Sequence, residues 1–313
     1  MPVIWPLGGY AQQRKNVPTV GVLHPGAPSQ PTPLLIALKQ GLRDLGYVEG
    51  QTVALEIRHA DRPEAAREAA SELVKRNVDV IVAVAMLSIN AARAATTRIP
   101  IVATDLQIDP IASGLAASLA KPGGNVTGLF LDFPSITGKW LELLREVVPG
   151  IKKIGVLWDA TSGAAQLDAL AIVAKKFAIE LAVAKFQHAT EIEPVLAELL
   201  KREPQALVQL SSPVVHQASA LVAKLTQANR LPAISMFTKF PETGGLLSFG
   251  PDLPDFWGRS GPLVDKILKG TRPGSIPIER PTKFELAVNR KTARAIGINI
   301  PSTVLIRADR VIE

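Results

Sequence analysis

The 313 residues are too many for one typical domain and suit two of about 130–150 each. A composition 47% hydrophobic and 20% charged lets both bury a core, and the lack of cysteine excludes disulfides, thiolate metal sites and cysteine nucleophiles. The net charge of +7 is spread along the chain without a basic stripe or interleaved aromatics, which argues against a nucleic-acid surface.

Residues 1–13 (MPVIWPLGGYAQQ) run from apolar to small, with Gly9 and Ala11 at the two positions a signal peptidase reads and polar Gln12 after them. They resemble the last third of a secretory signal peptide cut after Ala11; the alternative is a disordered tail. Residues 1–16 are set apart from the fold on either reading.

The first expected strand is 19–23 (TVGVL), followed by a helix over 33–45, a helix over 65–76 and a strand over 78–84. The longest apolar run, 80–87, is far short of the ~20 residues that span a membrane. A strand entered through Ile99-Pro100-Ile101-Val102 comes next. The same order then returns: strand 153–157 (KIGVL), helix 164–177, helix 194–202, strand 206–210, and a strand entered through Leu231-Pro232-Ala233-Ile234. The matched units lie 126 to 134 residues apart. Repeated α/β units of this kind predict parallel sheets with right-handed crossovers.

The fold class is therefore α/β, with two similar doubly wound parallel-sheet lobes joined by crossover strands. Strand-like segments at 125–133, 245–251 and 278–288 are the expected crossings, the first two beside Gly123, Gly124, Gly244 and Gly245. This gives lobes of 17–128 plus 251–280 and of 129–250 plus 281–313, decorated by helices over 255–269 and 290–296.

Ligands of open parallel sheets bind beyond the carboxyl ends of the strands. The loops there supply His24, Met86, Ser88, Asn90, Thr104, Asp105 and Gln107 in the first lobe. They supply Trp158, Asp159, Ser211, Ser212 and Phe237 in the second, and a crossing adds Ser248. Ser88 and Ser212 stand just before helices expected over 89–97 and 213–227. Each is an N-cap that either serves its helix alone or opens a site for a carboxylate. Asp105 or Asp109 can pair with a ligand ammonium, although Asp109 before Pro110 also suits a local turn. Trp158 and Phe237 are apolar walls or core. His24 and His216 fall near the same loops.

No phosphate-binding loop, GxGxxG, GxSxG or HExxH sequence occurs. The glycines after Lys121-Pro122 precede a strand, so they make a turn. No catalytic residue, metal ligand or cofactor is expected, and the chain reads as a binding protein.

Long stretches carry a resemblance: GLRDLGYVEGQTVALEIRHAD (41–61), VDVIVA (78–83), DPIASGLAASLAKPGGNVTGL (109–129), GKWLELLREVVPGIKKIGVLWD (138–159), GGLLSFGP (244–251), VDKILKG (264–270) and residues 281–313. From residue 17 onward the chain resembles the periplasmic substrate-binding proteins of ABC transporters of the tryptophan-binding type, with the type I periplasmic-binding fold. That resemblance implies a secreted or lipid-tethered receptor for a small organic ligand, an aromatic or branched carboxylate or an amino acid; with no cysteine to carry a lipid, a free periplasmic protein, expected to be a monomer, fits better. It also implies closure like a Venus flytrap and ABC permease subunits as partners. The alternatives are a ligand-sensing subunit of the same fold and a two-lobed enzyme such as an isomerase. The chain departs from the family pattern after VDVIVA, where relatives carry a Gly-Thr-Pro-like turn and this sequence has Ala85-Met86-Leu87. The departure implies a more apolar ligand.

Overall fold

The computed structural model describes residues 17–25 and 32–313; the expected signal-peptide tail and the expected ligand loop at 26–29 lie outside the described residues. The first sheet contains β1 (Thr19–Pro25), β2 (Ala54–Ala60), β3 (Val80–Val84), β4 (Ile101–Leu106) and β5 (Val126–Phe130), linked in part by α1 (Pro33–Arg43), α2 (Pro63–Lys75) and α3 (Ala85–Ala95). All its strands are parallel, in the order β2-β1-β3-β4-β5.

The chain then passes through α4 (Phe133–Val147) into β6 (Lys153–Asp159), α5 (Ala165–Lys176), β7 (Glu180–Phe186), α6 (Ile192–Leu200) and β8 (Ala206–Gln209). It continues through α7 (Pro213–Gln217), α8 (Ser219–Ala228), β9 (Ala233–Ser235), α9 (Lys239–Glu242) and β10 (Leu247–Pro251). The helices α10 (Leu253–Gly258) and α11 (Ser260–Leu268) return to the first lobe, where they pack on α1. Last come β11 (Phe284–Asn289), α12 (Arg290–Ile296), α13 (Ser302–Arg307) and β12 (Arg310–Ile312).

The second sheet runs β12-β11-β10-β9-β8-β6-β7. Its portion β7-β6-β8-β9-β10 repeats the first sheet's order, as the internal duplication requires. Only the β10–β11 pairing is antiparallel.

Burial explains which strands the sequence displays. β3 is buried throughout, so its run of Val, Ile and Ala is continuous. The edge strands β2 and β7 are half-exposed and carry Glu56, Arg58, Glu180 and Lys185. They lack an apolar run, and the sequence reading passed over both. Val20 and Val22 face one core with Leu38, Leu42 and Phe256. Leu23 and Ile81 face another with Leu73 and Ile89.

Two expected helices are each split. The segment expected over 255–269 is α10 and α11, and that over 213–227 is α7 and α8. The first pair lies against α1 at close range. A Cβ on Gly41 would fall 2.2 Å from the Gly258 carbonyl oxygen, and one on Gly261 would fall 2.5 Å from the Gly41 carbonyl carbon. The backbones touch because none of the three carries a side chain.

The lobes are joined between β5 and α4, between β10 and α10, and between Glu279 and Phe284. Glu279 still belongs to the first sheet, exchanging backbone hydrogen bonds with Gly128 and Phe130 at 2.9 and 2.8 Å. The Lys283 carbonyl accepts from Asp252 N–H at 3.1 Å, beside β10. Arg259 clamps the span between them, pairing with Glu279 and donating to the Arg280 carbonyl and Thr282 Oγ1 at 3.1 and 3.2 Å. Arg280 reaches Asp132 at 3.2 Å, and Lys283 pairs with Asp255. Beside these links, Trp140 of α4 is fully buried and donates to the Phe249 carbonyl at 2.6 Å.

Candidate ligand-binding cleft

The first two crossings leave the carboxyl ends of β5 and β10, so the carboxyl ends of both sheets lie toward the junction. Several candidates there sit in strands that run further than the sequence suggests. His24 is in β1, Thr104 and Asp105 are in β4, and Trp158 and Asp159 are in β6.

Backbone strain gathers at the first sheet's strand ends. Seven described residues other than glycine have positive φ. Asn77, Ala178, Glu203 and Arg230 follow the ends of helices, where a left-handed residue is ordinary. The other three, Ala85, Asp105 and Asp132, lie at the ends of neighbouring β3, β4 and β5, with φ of 59°, 63° and 51°. Such strain persists only where the surroundings impose it, and it concentrates at functional sites. At Asp105 the cause is a register shift between β4 and β5, which re-aims the side chain. Gly128 makes that shift feasible: at φ 152° a Cβ would fall 1.9 Å from the Ala103 carbonyl oxygen.

Burial pushes the Asp105 carboxyl up to about 7, opposed by a hydrogen bond from Gln107 Nε2 at 3.2 Å. Asp105 is therefore poised between its charged and neutral forms near neutral pH.

Ser88 corrects the sequence reading. The helix starts at Ala85, not at residue 89, so Ser88 lies inside its first turns and is no N-cap. Val84 holds the cap position and offers no side-chain hydrogen bond. The first N–H groups of α3 are thus uncapped, and the fully buried Ser88 Oγ has no hydrogen-bond partner. An uncapped helix start with a free hydroxyl suits a carboxylate. Met86 and Leu87 turn partly into the first lobe's core, which occupies the bulk that departs from the family pattern. Asn90 is exposed.

Other candidates are engaged within the protein. Thr104 Oγ1 meets Ser260 Oγ at 2.8 Å, which ties β4 to α11 and corrects its assignment to a loop. Asp109 makes the local turn, accepting from Ile111 and Ala112 N–H. His24 Nε2 bonds Thr32 Oγ1 at 2.9 Å, and burial lowers its pKa. Its ring lies 5.5 Å from that of His59, whose buried Nδ1 has no partner.

In the second lobe, Ser212 is the N-cap expected, accepting from Val215 N–H at 3.1 Å. Asp159 caps a short turn through Thr161 N–H at 2.9 Å and Oγ1 at 2.6 Å. The Gln166 amide bonds both the N–H and the C=O of Ser211 at 2.7 Å. Trp158 donates to the Gly163 carbonyl at 2.9 Å, with Lys185 above its ring. Phe237 stands edge-on to His216 at 4.6 Å. Ser248 is fully buried, and its Oγ has no partner.

The sequence reading missed Gln209 and His59. Gln209 ends β8 fully buried, with neither amide atom hydrogen-bonded. The available signal was a lone amide closing an otherwise apolar strand, ALVQ. His216, placed near the site but not in it, also has a buried, unpartnered Nδ1. Among the described residues no group of three or more His, Asp or Glu could hold a metal, and no helix is long and apolar enough to cross a membrane.

Comparison with known proteins agrees with this architecture. A tyrosine-binding protein of Clostridioides difficile (strain R20291) is 31% identical over 263 residues, covering 83% of this chain and 75% of that protein. A conserved domain protein from Vibrio cholerae superposes with a TM-score of 0.82 at 28% identity, covering 94% of this chain and 99% of the other. An ABC domain from Streptococcus pneumonia in complex with L-Trp superposes with a TM-score of 0.81 at 24% identity, again over 94% and 99%. The two lobes have the type I periplasmic-binding fold. The model for ABC transporter substrate binding proteins matches residues 33–312, and the chain belongs to that family.

Proposed function

We propose that the chain captures an aromatic amino acid, or a closely related aromatic carboxylate, between its lobes and delivers it to ABC permease subunits at the outer face of the cytoplasmic membrane. The ligand carboxylate sits at the start of α3 with Ser88, and its ammonium pairs with Asp105. Lobe closure about residues 279–284 traps it, because ligand that touches both lobes favours the closed state. Export through the N-terminal segment places the protein in the periplasm.

The observation that carries this reading is a set of buried, unpartnered polar atoms around the carboxyl ends of β3, β8 and β9: Ser88 Oγ in the first turns of α3, both Gln209 amide atoms, and Ser248 Oγ level with Ser235. Buried polar groups are ordinarily paired, and unpaired ones call for an explanation. The family, the L-Trp held by one structural relative and the name of the tyrosine-binding relative support an aromatic amino acid.

A thermal-shift screen over amino acids, aromatic carboxylates, branched acids and sugars tests it. An aromatic amino acid should raise the melting temperature through linkage and titrate with micromolar affinity, about −8 kcal/mol. A shift produced by sugars alone would overturn the reading.

A further inference from the structure

The second sheet carries a polar row where β8 and β9 end. Gln209 points to the same face of the sheet as Leu207, two residues before it on β8. One step past the Val208–Ile234 pair, Ser235 lies level with Gln209, and Ser235 pairs with Ser248 on β10. The row ends both β8 and β9, so it lies at the strand ends where a ligand would rest. Ser235 Oγ is used, accepting from Phe237 N–H at 3.4 Å. Neither amide atom of Gln209 nor the Ser248 hydroxyl has a partner, and both residues are fully buried. His216, edge-on to Phe237, adds an unpartnered Nδ1.

Together these side chains offer hydrogen-bond donors and acceptors at the carboxyl end of the second sheet. An apolar residue at Gln209 would extend the neighbouring surface of Leu157, Leu207 and Ala233 at no desolvation cost. An amide there is costly unless something pairs with it. A wholly hydrocarbon ligand tip would leave it unpaired in the closed state.

We infer that Gln209, assisted by Ser248 and His216, determines specificity by reading a group at the far end of the ligand that both donates and accepts a hydrogen bond, such as a phenolic hydroxyl. This rests on the proposed capture of an aromatic amino acid and sharpens it: the second lobe rejects the analogue that lacks the hydroxyl. A site built to bond a hydroxyl discriminates strongly against its absence, whereas an apolar pocket does not.

Calorimetric titration of L-tyrosine and L-phenylalanine into the wild type, Gln209→Met and Ser248→Ala tests it, with a melting curve for each protein. The wild type should favour tyrosine by about tenfold or more. Gln209→Met should cut that preference below about threefold without weakening phenylalanine binding or lowering the melting temperature. Equal binding of both ligands by the wild type would overturn the inference alone. So would a preference that survives in both variants, or a loss of both ligands together with stability. If neither ligand binds the wild type, the functional reading fails and the inference falls with it.

Discussion

The two lobes share a topology but prepare their strand ends differently. The first lobe holds Ala85, Asp105 and Asp132 in left-handed conformations, leaves α3 uncapped and buries a carboxyl. The second lobe caps α7 with Ser212 and its short turn with Asp159, and holds Ser211 in place through Gln166. Its unpaired side chains are Gln209, His216 and Ser248, against Ser88 and His59, among others, in the first sheet's lobe. One lobe thus offers strained backbone and charge, and the other offers adaptable donors and acceptors on a relaxed frame. A duplicated fold divides recognition this way when one half reads the end common to a class of ligands and the other reads what distinguishes its members.

The largest expected effect breaks the first lobe's strained geometry. Gly128→Ala forces a Cβ into the Ala103 carbonyl and should cost about 3 kcal/mol or more, measured by denaturant unfolding.

Asp105→Asn removes the buried charge. The folded carboxyl titrates at about 7 against an ordinary 3.8, so the folded chain keeps a proton the unfolded chain has lost between those values. Stability therefore falls as pH rises from about 4 to about 7 and stays low above. The variant should flatten that profile, gaining most in melting temperature at pH 8 and little near pH 4. Aromatic amino acid affinity at pH 8 should drop about 10- to 150-fold, the worth of one charged hydrogen bond of about 1.5–3 kcal/mol. An unchanged affinity would remove Asp105 from the site.

Ser212→Ala should cost about 1 kcal/mol of stability, because it deletes a true cap, and leave ligand preference intact. Arg280→Gln should act least. The Arg280–Asp132 pair is half-exposed on the arginine side and worth about 0–1 kcal/mol. Apparent affinity should move no more than about fivefold through the open–closed equilibrium, and less at high salt.

The sequence displayed what burial makes continuous. TVGVL and KIGVL announced β1 and β6, and their spacing announced the duplication. β2 and β7 stayed hidden because an edge strand exposes one side, so Arg58 and Lys185 interrupt the pattern. Ser88 was misplaced for a related reason. Residues 80–87 are apolar across the strand-to-helix junction, and the turn is made by a left-handed alanine that no composition rule marks. Gln209 was overlooked because a single amide at a strand end looks like the start of a loop; its significance lies in burial without partners, which only three-dimensional packing reveals.

The most direct test of this division is calorimetric titration of L-tyrosine into the wild type and Ser88→Ala, paired with thermal melting. Removal of a buried, unpaired hydroxyl should leave the melting temperature equal or higher. Affinity should fall about tenfold if that hydroxyl holds the ligand carboxylate beside the start of α3. Undiminished affinity, or a loss of stability in place of affinity, would contradict the account.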